Sequence, residues 1–308
     1  MTDRRSDDRE INVPDRGADV RAVASRFWPE WDWTAAHVTH GAFHKVALHP
    51  EGLVVRVAIG RDAAARTARE RGILSALSRT TVSVPLPEPL DTPAAAVAAG
   101  ASLVSRVSGR PGERADASSA DGFAAYGAAL RSLRDVPLPR LDELPVPRAW
   151  CGGPAWPSVV ADRLVPRLPT SVRAFAQDVV GFVDGSAPTD LVLVHGDFGP
   201  HNMLWDGPRL SGLVDLDHAC IGDPAIDIAP LVGIHGAAAA AQICTDEELS
   251  RAMQHRASLP LQVAAAADLA GLAGLRDHAL RNFSQRVAEG TVFDPAGSRP
   301  RGSSLGSR

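Results

Sequence analysis

Lysine is nearly missing from this chain. Of 32 lysine and arginine side chains, Lys45 is the only lysine. Any mechanism that requires a lysine therefore has one candidate. Cysteine is scarce as well. Cys151, Cys220 and Cys244 lie far apart and form no Cys-x-x-Cys pair, which argues against a disulfide framework and a thiolate zinc site. They read as buried or idle thiols of a reducing compartment. No apolar run approaches the roughly 20 residues of a membrane span. The stretch from Met1 to Asp19 is polar and charged, without the apolar segment of a secretion signal. A soluble, cytoplasmic protein is expected, with no membrane partner. A large excess of one charge is absent too. A formal charge of −4 over 308 residues leaves no global footprint for nucleic acid. No Gly-x-Ser-x-Gly elbow is present, which removes the commonest serine-hydrolase signal. The pairs His40/His44 and His195/His201 have no third partner at zinc-ligand spacing.

What remains is ordinary globular composition, with 45% hydrophobic residues. Phe43-His-Lys-Val-Ala-Leu-His, the turn signal Pro50-Glu-Gly, and Leu53-Val-Val-Arg-Val-Ala predict a β-hairpin within a region of short strands from about 33 to 59. Asp62 to Leu77 predicts a helix with Ile73, Leu74 and Leu77 on one face. Ala101 to Val107 predicts a strand ended by the loop Ser108-Gly-Arg-Pro-Gly. Helices are expected over Gly122–Arg134 and Val172–Val183, with Pro145–Pro157 irregular between them. Leu191–Val194 and Leu210–Asp217 predict two short strands, and the rest is mostly helical, including one helix over Leu259–Leu280. Strands thus dominate the first third and helices the remainder. This is the α+β pattern of a small, mainly β lobe beside a larger helical lobe, with a ligand cleft between them. The expected division is a disordered tail over 1–18, an N-lobe over 19–107, a helical C-lobe over 108–295, and a second disordered tail over 296–308.

The densest chemistry lies in His195-Gly-Asp-Phe-Gly-Pro-His-Asn202, followed by Asp215-Leu-Asp217 and Gly222-Asp-Pro-Ala-Ile-Asp227. Asp197 and Asn202 bound one loop after a buried strand, and a hairpin can bring Asp215 beside Asn202. Carboxylates and an amide oxygen converging on one point suit Mg²⁺, a hard cation that usually shares its shell with substrate phosphates. An Asp followed five positions later by an Asn is the spacing of the protein-kinase catalytic loop, with a further Asp as metal ligand.

These segments resemble the aminoglycoside phosphotransferase family, kinase-like enzymes that phosphorylate antibiotics and other small metabolites. The resemblance spans roughly residues 20–285. Together with Gly41-Ala-Phe-His44, the His195–Asp227 region is similar to the viomycin and capreomycin phosphotransferases within that family. The resemblance implies a two-lobed protein-kinase-like fold and transfer of the γ-phosphoryl group of ATP or GTP to a hydroxyl of a small molecule. It implies Asp197 as the catalytic carboxylate, Asn202 and Asp215 as Mg²⁺ ligands, and Asp227 as a brace for the catalytic loop. Arg56 falls where the family carries the phosphate-binding cation, with Glu70 as its helix partner and Lys45 as the runner-up. Gly41 falls in the loop that covers the phosphates, and Ser105 to Val107 at the hinge whose backbone pairs with the purine. Asp223 is expected to cap a helix, and His195 to donate to a backbone carbonyl. Asp217 is open between metal shell, substrate contact and surface acid.

Two other readings stand beside this one. A metal-dependent phosphoesterase also uses Gly-Asp and His-Asn pieces, but the histidine ligands are lacking here. A catalytically silent kinase-like binding protein would need a defect such as Arg56 failing as the phosphate ligand. For the acceptor, the crowding of Asp197, Asp215, Asp217, Asp223 and Asp227, with Asp277 and Glu289 on later helices, favours a polycationic compound: an aminoglycoside or a basic cyclic peptide. Other small metabolites and macrolides are the alternatives.

Overall fold

The structure is a computed structural model that describes residues 19–112, 120–185, 188 and 190–301. The expected tail over 1–18 lies outside the described residues. From 296 onward the chain is described as far as Arg301, whose guanidinium pairs with Asp246 at 2.5 Å.

Alternating β-branched and small residues build the N-lobe sheet. Strands β1 (His37–His40), β2 (His44–Leu48), β3 (Leu53–Ala58) and β4 (Ala101–Ser105) pair antiparallel in sequence order. Register places Val46 opposite Arg56 and Lys45 opposite Val57. Directly opposed residues share a face and successive ones alternate. His44, Val46, Val54, Arg56 and Val104 therefore line the inner face. Lys45, Ala47, Val55, Val57 and Leu103 line the outer one. The outer face is sealed by α1 (Val20–Phe27) and the buried rings of Trp28 and Trp33. This layer was not legible as helix: the segment at Trp33–Ala35 is a 3₁₀ turn rather than the expected strand. Helix α2 (Ala63–Leu77) packs Ile73, Leu74 and Leu77 against the inner face, as its pattern predicts. A short α3 (Ala94–Ala98) precedes β4.

The C-lobe is built on α4 (Ala120–Arg134), α5 (Thr170–Gly185), α6 (Ala225–His235), α7 (Asp246–Ala270) and α8 (Ala273–Ala288). The single helix expected over Leu259–Leu280 is two. Gly271, at φ 77°, takes the left-handed conformation that ends α7, and the Leu272 N–H closes on the Ala267 carbonyl at 2.8 Å. The strands also pair differently from a simple reading. The segment Val192–Val194 (β6) pairs with Cys220–Gly222 (β9), while Met203–Asp206 (β7) lies between Arg110–Pro111 (β5) and Arg209–Leu213 (β8). So the Leu210 strand ends at Leu213, and Asp215 and Asp217 follow it in a loop.

Two of the links between the lobes lie at the edges of the cleft. One is the connection after β4. The other is Arg61, whose backbone N–H donates to the Ala270 carbonyl at 2.9 Å and whose guanidinium donates to the Leu269 and Asp268 carbonyls at 2.8 Å each. A cation there also meets the negative end of the α7 dipole. One apolar core runs through both lobes, from Val54 and Leu74 to Tyr126, Phe198, Leu213, Leu261 and Phe283.

Candidate active site

The floor of the cleft starts where β6 ends. Asp227, in the first turn of α6, reaches back and accepts the His195 and Gly196 backbone N–H groups at 2.8 Å each. The His195 ring is fully buried; its Nε2 donates to the Val214 carbonyl at 2.9 Å, and its Nδ1 accepts the Asp197 N–H at 3.3 Å. Gly196 has φ 85°, and a Cβ there would lie 2.4 Å from the His218 carbonyl oxygen, so only glycine fits. Phe198 is 1% exposed and anchors the loop in the core beside Tyr126. The chain then makes a 3₁₀ turn over Pro200–Asn202. The Asn202 amide donates to the Asp197 carbonyl at 2.9 Å and to Asp197 Oδ2 at 3.0 Å, which turns its oxygen away from Asp197. The Val214 N–H donates to the Asn202 carbonyl at 2.9 Å, so Asp215 is drawn beside Asn202. Asp215 is held at φ 64°, a strained conformation for a non-glycine residue.

The wall comes from the N-lobe. Arg56 Nε lies 2.6 Å from Glu70 Oε1, and Arg56 Nη2 lies 2.6 Å from Asp215 Oδ1. The structure thus joins strand arginine, helix glutamate and floor aspartate in one buried chain of charge. His44 belongs to it too: its Nδ1 is 3.4 Å from Arg56 Nη2, and its Nε2 is 3.9 Å from Glu70 Oε2. His44, Asp215 and Asp217 offer ligand atoms within 4.8 Å of one another. The spacing argument gave His44 no third partner; the fold brings it two acids from the far end of the chain.

Burial and charge pull these groups in different directions. Burial opposes the Arg56 charge, but Glu70, Asp215 and Asp217 outweigh it and hold the guanidinium above its ordinary pKa. Burial pushes the Glu70 carboxyl up to about 7 against the pull of Arg56. Asp215 is also desolvated, yet Arg56 and His44 hold it well below the usual carboxylate range. Asp217 is raised by burial and by Asp215. Burial pushes Asp227 up to about 7 despite its two backbone donors. The cleft position costs Asp197 solvation, but the hydrogen bond and charge of His201 outweigh this and lower it.

Lys45 lies on the outer face of the sheet, away from Arg56 and Glu70. Gly41 sits in the exposed turn between β1 and β2, where a Cβ would meet nothing within 4 Å. Ser105 donates its N–H to the Glu88 carbonyl at 2.9 Å, and its hydroxyl accepts the Glu88 N–H at 2.8 Å. Val107 makes no hydrogen bond to a described residue through its own N–H or carbonyl. Asp223 accepts the Ala225 N–H at 2.9 Å, as a cap should, and pairs with Arg251 at 2.8 Å and His255 at 3.5 Å. The expected crowd of acids is therefore smaller than the sequence implies. Asp223 and Asp227 are spent on α6 and the loop, Asp277 pairs with Arg276 at 2.7 Å, and Glu289 accepts from Gln285 at 2.9 Å. Asp217 is buried and lies 3.7 Å from His218 Nε2, which leaves Asp197, with 37% of its side chain exposed, as the acid of this group open at the cleft floor. All three cysteines are free, and no helix among the described residues is long and apolar enough to cross a membrane.

A family model described as "Phosphotransferase enzyme family" matches residues 38–275, which contain both wall and floor. The chain belongs to this phosphotransferase family. The viomycin phosphotransferase of Streptomyces vinaceus is 30% identical over 233 residues, covering 70% of this chain and 79% of that protein. Among solved structures, the GDP and kanamycin complex of an APH(2″) enzyme superposes with a TM-score of 0.68 at 16% identity, covering 87% of this chain and 98% of that one. A macrolide 2′-phosphotransferase from Brachybacterium faecium gives 0.58 at 20% identity, covering 90% and 97%. These likenesses establish the kinase-like two-lobed fold and an enzyme of the phosphotransferase class. Within it, sequence reasoning missed two histidines of the site. His44 carries a legible signal, since it stands two positions before Val46, the residue opposite Arg56. His201 carries none beyond its place in the loop.

Proposed function

We propose that the protein transfers the γ-phosphoryl group of ATP or GTP to a hydroxyl of a cationic antibiotic, a basic cyclic peptide of the viomycin kind before an aminoglycoside. The observation that carries this reading is the convergence of Asp197, Asn202 and Asp215 on the floor with the Arg56–Glu70 pair on the wall. Phosphoryl transfer asks for little more than positioning and charge. Arg56 would grip the non-transferred phosphates through its planar fork, held in place by Glu70. The backbone of Val107, which makes no hydrogen bond to a described residue, offers a donor and an acceptor to a purine edge. The open space at Gly41, where a Cβ would meet nothing within 4 Å, would let the β1–β2 turn close over the phosphates. Asp197 would orient the acceptor hydroxyl for in-line attack and receive its proton.

The donor set also fits Mg²⁺. Asp215 supplies a carboxylate kept ionised by Arg56, and Asn202 an amide oxygen turned away from Asp197. These are hard oxygen ligands of the kind Mg²⁺ takes with phosphates. The ion, when bound, would offset the phosphate charge. Asp217 stands close enough to Asp215 to serve that shell.

Relatedness to a viomycin phosphotransferase supports the cyclic peptide as first choice. The test is a coupled turnover assay with ATP and with GTP against viomycin, an aminoglycoside, a macrolide and a neutral sugar, with product mass as the second readout. A cationic acceptor should gain one phosphoryl group, and its kcat/KM should fall steeply as salt rises. Turnover of the macrolide or the sugar with none of either cationic antibiotic would reject the substrate class.

A further inference from the structure

A histidine that serves a fold is usually buried and uses both ring nitrogens, as His195 does. His201 is the opposite. Its side chain is 61% exposed, and its polar contact among the described residues is Nε2 at 3.4 Å from Asp197 Oδ2. The backbone has made room for that contact. Gly199 has φ −110°, which any residue can adopt, so the main chain does not ask for glycine there. The His201 ring does: a Cβ at Gly199 would lie 2.5 Å from its Cε1 and 2.8 Å from its Nδ1. Pro200 opens the 3₁₀ turn that swings the ring back over the notch.

We propose that His201 is a positioning residue for phosphoryl transfer: seated in the notch left by Gly199, it fixes the plane of the Asp197 carboxylate so that Oδ1 faces the acceptor hydroxyl. Asn202 already donates to Oδ2 at 3.0 Å. Oδ2 lies off the Cβ–Cγ axis, so each donor on it restrains rotation of the carboxylate plane, and the His201 donor, approaching from a second residue, narrows the rotation that Asn202 alone allows. Oδ1 makes no hydrogen bond to a described residue, so it is the oxygen left for the acceptor. The inference rests on reading Asp197 as the carboxylate that meets the acceptor.

The experiment uses the full chain, viomycin as acceptor probe, and nucleotide hydrolysis by water as the readout should viomycin not be phosphorylated. His201→Ala should lower kcat roughly tenfold, because small misplacement of a reacting group is costly. Nucleotide KM and Tm should not move. His201→Gln, which keeps a donor at a similar reach, should recover most of the rate. Gly199→Ala displaces the ring and should cost as much as His201→Ala, yet cost almost nothing further in the His201→Ala background. A kcat for His201→Ala within twofold of the parent overturns the proposal, and so do independent, multiplying losses for the two variants. Asp197→Asn separates the two levels. If it is inactive while His201→Ala is not, only this inference falls; if it is active, the reading of Asp197 falls with it.

Discussion

The wall and the floor of the cleft are each built round one buried carboxylate, and they use it in opposite ways. Asp227 spends both oxygens on backbone N–H groups of the loop it supports. Glu70 binds another side chain, Arg56, which at the same time binds Asp215 across the cleft. A carboxylate on main chain fixes a conformation, because the peptide groups have nowhere else to turn. A carboxylate on a guanidinium fixes a charge whose five donors can be divided among several anions. The floor is therefore set by folding alone. The wall is a set of charges that, on the proposed reading, incoming phosphates would share.

That contrast can be broken or sharpened by mutation, and the largest effect should come from the residue the floor exists to hold. Asp197→Ala should lower kcat by roughly 10²–10⁴-fold and leave nucleotide affinity nearly intact; retention of half the rate would remove Asp197 from the mechanism. On the wall, Arg56→Ala should raise nucleotide KM by roughly tenfold or more, the scale of one charge-assisted contact, while Lys45→Ala stays within about twofold. The reverse order would mean that the inner face of the sheet is not the phosphate side.

Stability separates wall and floor next. Asp227→Ala orphans the buried His195 N–H, at about 1–3 kcal/mol, and the half-buried Gly196 N–H at less. Glu70→Ala leaves Arg56 paired with Asp215, so its fold loss should be smaller and its main effect a higher nucleotide KM. Denaturant unfolding of both variants checks the order. The smallest effect is a slope with pH. Asp227 is pushed up to about 7 in the folded protein, against about 3.9 in an unfolded chain. Between those values the folded state holds the extra proton, so this contribution to stability falls as pH rises from about 4 to about 7 and is flat above. Asp227→Asn should flatten that part of the stability–pH curve; an unchanged slope would assign it to another group.

The sequence made the floor legible because its chemistry is local. Asp197, Asn202 and Asp215 stand on one short stretch, and Gly196 marks the turn. Arg56 and Glu70 were legible only through strand alternation and resemblance, since their meeting depends on α2 docking on the inner face. His44 was overlooked because Asp215 and Asp217 reach it only after the lobes close on each other. Strands of two to four residues, such as Arg110–Pro111 and Cys220–Gly222, are too short to display a period. The break at Gly271 hid inside a run of alanine and leucine, where a lone glycine is a weak stop signal. The acid crowd was overcounted because spacing does not say which carboxylates turn inward to backbone and arginine.

One consequence of the arginine at position 56 concerns covalent labelling. The only side-chain amine of the protein, Lys45, faces the tryptophan-lined outer layer of the sheet. If nucleotide phosphates lie on Arg56, as proposed above, an amine-acylating group carried there finds no lysine to capture, because a guanidinium stays protonated and is a poor nucleophile at neutral pH. On that reading, probes that enrich kinase-like proteins through a phosphate-site lysine should pass this one by. An arginine-directed dicarbonyl reagent, blocked by bound nucleotide, is the chemistry suited to reporting occupancy of its site.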